Sequence, residues 1–114
     1  MSDYRLEFGR ISVDMSELDS DKDLYFVVCK KTMTVKIGIS DCAEKRLYSL
    51  QTANPYKLCL AAVIKRGGNL EYLFHQELSG QRLCGEWFAI DIKLAKLILR
   101  IKKLREAWRL HVYG

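Results

Sequence analysis

Glu71 and His75 are four residues apart, so on a helix they project from one face, and a carboxylate beside an imidazole can do chemistry. Two readings are open on the residues alone. In the structural one, the carboxylate sits in a first helical turn, where the helix dipole favours an anion, and the histidine packs against a sheet. In the functional one, Glu71 is the single carboxylate ligand of Mg²⁺, an ion that keeps most of its waters and needs few protein oxygens besides a bound phosphate. His75 is then a phosphate donor, a proton shuttle or a core residue. A second chemically capable group lies near the C-terminus, where Lys93, Lys96, Arg100, Lys102, Lys103, Arg105 and Arg109 are opposed only by Glu106. Such a face contacts phosphates along a duplex or simply solvates a helix. Cys29, Cys42, Cys59 and Cys84 form no C-x-x-C pair and sit beside apolar residues. They read as buried free thiols and not as a metal site.

The elements that must position these groups begin with Leu24 to Arg46, LYFVVCKKTMTVKIGISDCAEKR, which reads as strand, turn, strand, helix. Tyr25 to Val28 are aromatic or β-branched, Lys30 to Met33 are a polar turn, and Thr34 to Ile39 supply the second strand. Gly38 interrupts that strand, which marks a bulge or a close approach by another group. Ser40 or Asp41 is the expected N-cap, Asp41 and Glu44 having capping-box spacing, and Arg46 then lies in the first turns of the helix. Ala43, Leu47 and Leu50 form its inward stripe, and Asn54-Pro55 ends it. Lys57 to Lys65 is a third strand, apolar enough to be covered on both faces. Asn69 is the expected N-cap of a helix from Leu70 to Leu78. Gly85 to Ile90 reads as a short last strand in which Trp87 and Phe88 close the core, with Glu86 either an acid that supports the metal ligand from behind or an exposed strand charge, and not itself assigned to the metal. Asp91 caps a final helix, residues 92–110, whose apolar stripe is Leu94, Leu97, Ile98, Ile101, Leu104 and Trp108.

At 114 residues and 49% hydrophobic, the chain suits one domain with a modest core. The expected class is α+β: a small, mainly antiparallel three-stranded sheet flanked by helices, with a basic C-terminal helix. No apolar run reaches the roughly 18 to 20 residues of a membrane span, and the start MSDYRLEF lacks a signal-peptide pattern. The expectation is therefore a soluble intracellular protein, cytoplasmic or nucleoid-associated. Charge divides the chain. Residues 1–23 hold seven acids against three bases, a balance of −4, so with the whole chain at +5 the remainder carries +9. That imbalance suits a polyanion binder. The acidic segment 1–23 reads as an N-terminal extension in which RLEFGRISV can form a short edge strand and SELDSDKD a turn or linker, and in the simplest case a flexible arm.

The ordered set Tyr25, Lys36-Ile37-Gly38, Arg46, Leu50-Gln51, Asn54-Pro55, Glu71 with His75, and Gly85-Glu86-Trp87-Phe88 resembles the GIY-YIG endonuclease superfamily, in particular its compact bacteriophage-associated branch with KIG in place of YIG. The likeness runs from Leu24 to about Ile90. It implies that residues 24–114 are a single GIY-YIG-like nuclease domain that hydrolyses DNA phosphodiesters with one Mg²⁺ or Mn²⁺. It implies Tyr25 as general base, Lys36 where relatives place a second tyrosine, Arg46 on the phosphoryl oxygens, Glu71 as metal ligand and His75 beside it. A phenol ordinarily titrates near 10, so a tyrosine base needs neighbouring cations, here Lys36 and Arg46. Lys96, Arg100 and Lys103 are the expected DNA contacts, and a protein partner is a plausible source of target specificity. Two further classes stay open: a binding module of the same fold with little or no cutting, since Lys36 and Leu50 depart from the usual pattern, and a regulator whose basic helix docks on an acidic protein.

Overall fold

The computed structural model describes residues 4–113. Among them, strands β1 (Arg5–Phe8), β2 (Ile11–Asp14), β3 (Asp23–Cys29), β4 (Thr34–Ser40), β5 (Leu58–Ile64), β6 (Arg82–Cys84) and β7 (Trp87–Ala89) alternate with helices α1 (Ala43–Thr52), α2 (Glu71–Glu77) and α3 (Ile92–Tyr113). The class is α+β with antiparallel pairing, as expected. The main sheet is wider than three strands: its order is β5-β3-β4-β7-β6, because Gly85-Glu86 is a tight turn between two short strands and not the start of one. Gly85 takes φ 57°, and Glu86 does not follow it into that region. A two-residue hairpin turn needs a left-handed first position, which glycine adopts without steric cost.

Alternation along β3 and β4 sorts their side chains onto two faces. Leu24, Phe26, Val35 and Ile37 join Phe74 of α2 and Leu94, Leu97, Ile98, Ile101 and Leu104 of α3 in the larger core. Trp108, the last member of the expected stripe, lies outside the described side chains. On the opposite face Tyr25, Val27, Cys29, Leu58 and Val63 pack under Ala43, Leu47 and Leu50 of α1. The edge strand β5 is thus covered by α1 on one side and α3 on the other, which explains its nearly unbroken apolar run. Gln51 fastens α1 to it: its amide accepts from Leu58 N at 2.7 Å and donates to the Tyr56 carbonyl at 2.9 Å.

Three expectations change. Residues 5–14 are not a free arm but a hairpin, with Leu6 and Ile11 buried in the larger core. Phe8 stacks on Phe74, ring centroids 6.3 Å apart, and Arg10 Nε lies 2.7 Å from Glu77 Oε1. The acidic character of the segment hid two short apolar pairs sufficient to dock it on α2. Asp41 does not cap α1: it pairs with Lys22, while the Ser40 hydroxyl accepts from Cys42 N and Cys42 is the N-cap position. Asn69 caps nothing either, since Gly68–Leu70 is a 3₁₀ turn leading straight into Glu71. Asp91 does cap α3, accepting from Leu94 N at 2.8 Å. Among the described residues no helix is long and apolar enough to cross a membrane.

Candidate active site

β3 and β4 set Tyr25 directly opposite Gly38, and Val27 opposite Lys36, so tyrosine, glycine and lysine share the face that α1 covers. The tyrosine ring lies over the glycine. A β-carbon placed on Gly38 would stand 2.5 Å from the Tyr25 hydroxyl and 2.7 Å from its Cζ, well inside contact distance. The same β-carbon would stand 3.1 Å from Glu86 Oε1. Gly38 is therefore the floor on which the phenol and a carboxylate meet, the close approach that its place in the strand implied.

Arg46 comes from the second turn of α1. Its Nε lies 3.5 Å from the Tyr25 hydroxyl, at the long end of a hydrogen bond. That tyrosine oxygen, and more remotely Glu86, favour the charged guanidinium and raise its pKa. Lys36, mostly buried, donates from Nζ to Glu86 Oε1 at 3.0 Å. The lysine stands in the site as an already paired cation.

The far wall of the site comes from α2 and depends on β7 being short. β7 pairs with β4 only from Thr34 to Lys36, and Ile37 N then bonds the Glu86 carbonyl at 3.1 Å. The next acceptor on that edge, the Ile37 carbonyl, lies 2.9 Å from His75 Nε2. A carbonyl can only accept, so Nε2 is the nitrogen that donates in this contact. The His75 ring also rests against Phe88, centroids 5.0 Å apart. One turn earlier on α2, Glu71 faces the same space.

Potential ligand atoms of Glu71, His75 and Glu86 all lie within 4.8 Å of one another. Glu71 Oε2 is buried without a hydrogen-bond partner. Burial and then the neighbouring Glu86 carboxylate push the Glu71 pKa up, partly offset by His75 and Lys36. Once ionised, a carboxylate with a buried, unpartnered oxygen facing a second carboxylate is costly unless a cation joins them. The donor set therefore fits a divalent cation.

The structure thus gathers Tyr25, Lys36, Arg46, Glu71 and His75 around Gly38. It adds Glu86, whose place in a hairpin turn, 50 residues from Lys36 in sequence, left no periodicity to reveal it. Lys96, Arg100 and Lys103 are exposed on α3. Lys96 and Arg100 line a separate groove of about 600 Å³ with Glu7, Glu77 and Gln81. The T5orf172 domain, as a family model, matches residues 20–108. Neither a curated protein nor a solved structure matches the chain.

Proposed function

The chain belongs to the T5orf172 domain family, and on that premise we propose that it is a metal-dependent DNA endonuclease of GIY-YIG type. The observation that carries this reading is the convergence beside one glycine of a phenol, the guanidinium that adjoins it and an ammonium paired with Glu86, next to a second carboxylate, Glu71, whose Oε2 is buried without a partner. Phosphodiester hydrolysis needs an activated water, charge stabilisation on the phosphoryl oxygens and stabilisation of the leaving alkoxide. Tyr25 is the group placed to take the proton of the attacking water. Arg46, adjoining that hydroxyl, presents a planar two-point contact to the non-bridging oxygens, which a lysine reproduces poorly. Lys36 supplies positive charge on the same strand face. His75, oriented by the Ile37 carbonyl, stands beside Glu71. Glu71 would hold Mg²⁺ or Mn²⁺, which when bound supplies Lewis-acid stabilisation of the departing oxygen.

The test is a comparison of Tyr25→Phe, Lys36→Met and Arg46→Lys under single turnover. Each loses at least about a hundredfold in cleavage rate, the scale of general-base or electrostatic assistance from one positioned group. If all three cut within a few-fold of the parent, the assignment of these groups is wrong.

DNA binding in this reading rests on phosphate contacts from α3, where Lys96, Arg100 and Lys103 follow one another at helical spacing on the exposed side. Replacing all three by Gln lowers the slope of log K against log salt by about 2 to 3, each neutralised phosphate contributing about 0.9. An unchanged slope in a fluorescence-anisotropy titration places the binding face elsewhere.

A further inference from the structure

The metal site of the reading above is assigned there to one carboxylate. The geometry points to a larger site: we propose that Glu71, Glu86 and His75 together bind a divalent cation, and that Lys36 is the resident cation which the metal displaces from Glu86. This rests on the proposed metal dependence and extends it to the chemistry of the site.

Two independent observations lead to it. Glu71 Oε2 is buried with no hydrogen-bond partner, while ligand atoms of Glu86 and His75 stand within 4.8 Å of one another and of Glu71. The His75 ring bonds a backbone carbonyl through Nε2, the kind of contact that metal-ligating histidines make with one ring nitrogen while the other, Nδ1 here, takes the ion. A set of two carboxylates and one imidazole is mixed in hardness. It suits Mn²⁺ better than Ca²⁺, which takes oxygen ligands almost exclusively.

Lys36 gives the site its second state. Its ammonium is 3.0 Å from Glu86 Oε1, and its charge also stabilises ionised Glu71. Two carboxylates within 4.8 Å of one another need a positive charge beside them, and the lysine provides it until a divalent ion does so better. Glu86 thus changes partner, from ammonium to metal. The displaced ammonium is then free on the face that carries Tyr25 and Arg46, where a scissile phosphate would need it.

The experiment is Mn²⁺ titration followed by the electron paramagnetic resonance signal of the free ion. It uses the full chain without DNA, with circular dichroism to verify folding of every variant. The parent binds Mn²⁺, and Ca²⁺ at equal concentration displaces little of it. Glu71→Gln abolishes binding. Lys36→Met binds about tenfold more tightly, since a competing charge a few Å from the ion has gone. Adding Glu86→Gln to Lys36→Met weakens binding at least tenfold relative to Lys36→Met alone, which separates a lost ligand from a liberated lysine. If the double variant binds as Lys36→Met does, Glu86 is no ligand and the proposal fails, while loss of binding in Glu71→Gln still supports a metal on Glu71. If Lys36→Met binds no more tightly than the parent, the resident-cation role is wrong. Undiminished binding by Glu71→Gln overturns both this site and the metal assignment on which it rests.

Discussion

Glu71→Gln leaves a folded protein that binds DNA with the parent's affinity and cuts it at least about a thousandfold more slowly, the several kcal/mol that a metal contributes to stabilising developing charge. The substitution keeps the shape of the side chain and removes its charge, and a neutral amide is a poor ligand for a hard cation. A second readout moves the other way. The Glu71 pKa is raised, first by burial and then by Glu86, so the folded state holds a proton on this carboxyl more tightly than the unfolded chain does. The corresponding stability is fully present below the ordinary carboxylate range and is lost as pH rises through the raised value. Without metal, the parent is therefore penalised at neutral pH for a charge that the amide of the variant does not carry. In EDTA the variant melts at or above the parent's Tm at pH 7.5, and the difference shrinks or reverses near pH 4. Mg²⁺ raises the Tm of the parent and not that of the variant. Parent-like cutting by Glu71→Gln, or an equal Mg²⁺ shift in both proteins, removes Glu71 from the metal site.

Gly38→Ala is the smallest change expected to disable the site. The glycine has no left-handed backbone angle, so alanine is not strained by its own conformation. Its methyl group would nonetheless meet the Tyr25 hydroxyl at 2.5 Å and Glu86 Oε1 at 3.1 Å. Tyr25 is 1% exposed beneath α1, so the ring cannot swing away without disturbing the smaller core. Overpacking of this kind costs about 1–3 kcal/mol. The effect on rate is larger, because moving a reacting group by about 1 Å can cost about a hundredfold. Single-turnover cleavage at a temperature where both proteins are folded falls by that factor or more. Gly80→Ala, where an added methyl meets nothing within 4 Å, serves as the control and retains parent-like cutting. If Gly38→Ala also cuts at the parent's rate, the crowding over this glycine has no bearing on catalysis.

Much of this arrangement is legible in the sequence where the signal is local. The β3–β4 hairpin, the interrupting Gly38, the proline-bounded α1 and the apolar stripe of α3 each follow from short-range periodicity or turn chemistry. So does the shared helical face of Glu71 and His75. What was not legible depends on contacts across the fold. Glu86 reads as a strand charge until the Gly85 turn and the early end of β7 aim it at Lys36. The Ile37 carbonyl that orients His75 is freed only because β7 begins at Trp87, opposite Lys36. The N-terminal hairpin has strands of four residues each, with two buried apolar side chains among charged neighbours, too short a pattern to outweigh its acidity. Asp41 and Asn69 have the right spacing to cap helices, but Lys22 engages the first and a 3₁₀ turn overruns the second.

Metal-dependent nuclease action by the groups around Gly38 is tested most directly by incubating supercoiled plasmid with the parent protein in Mg²⁺ and in EDTA, with Glu71→Gln alongside. Conversion to nicked or linear DNA is expected in Mg²⁺ with the parent alone, and intact plasmid in EDTA and with the variant. Equal cutting in EDTA, or intact plasmid under all conditions by a protein that still binds the DNA, would contradict it.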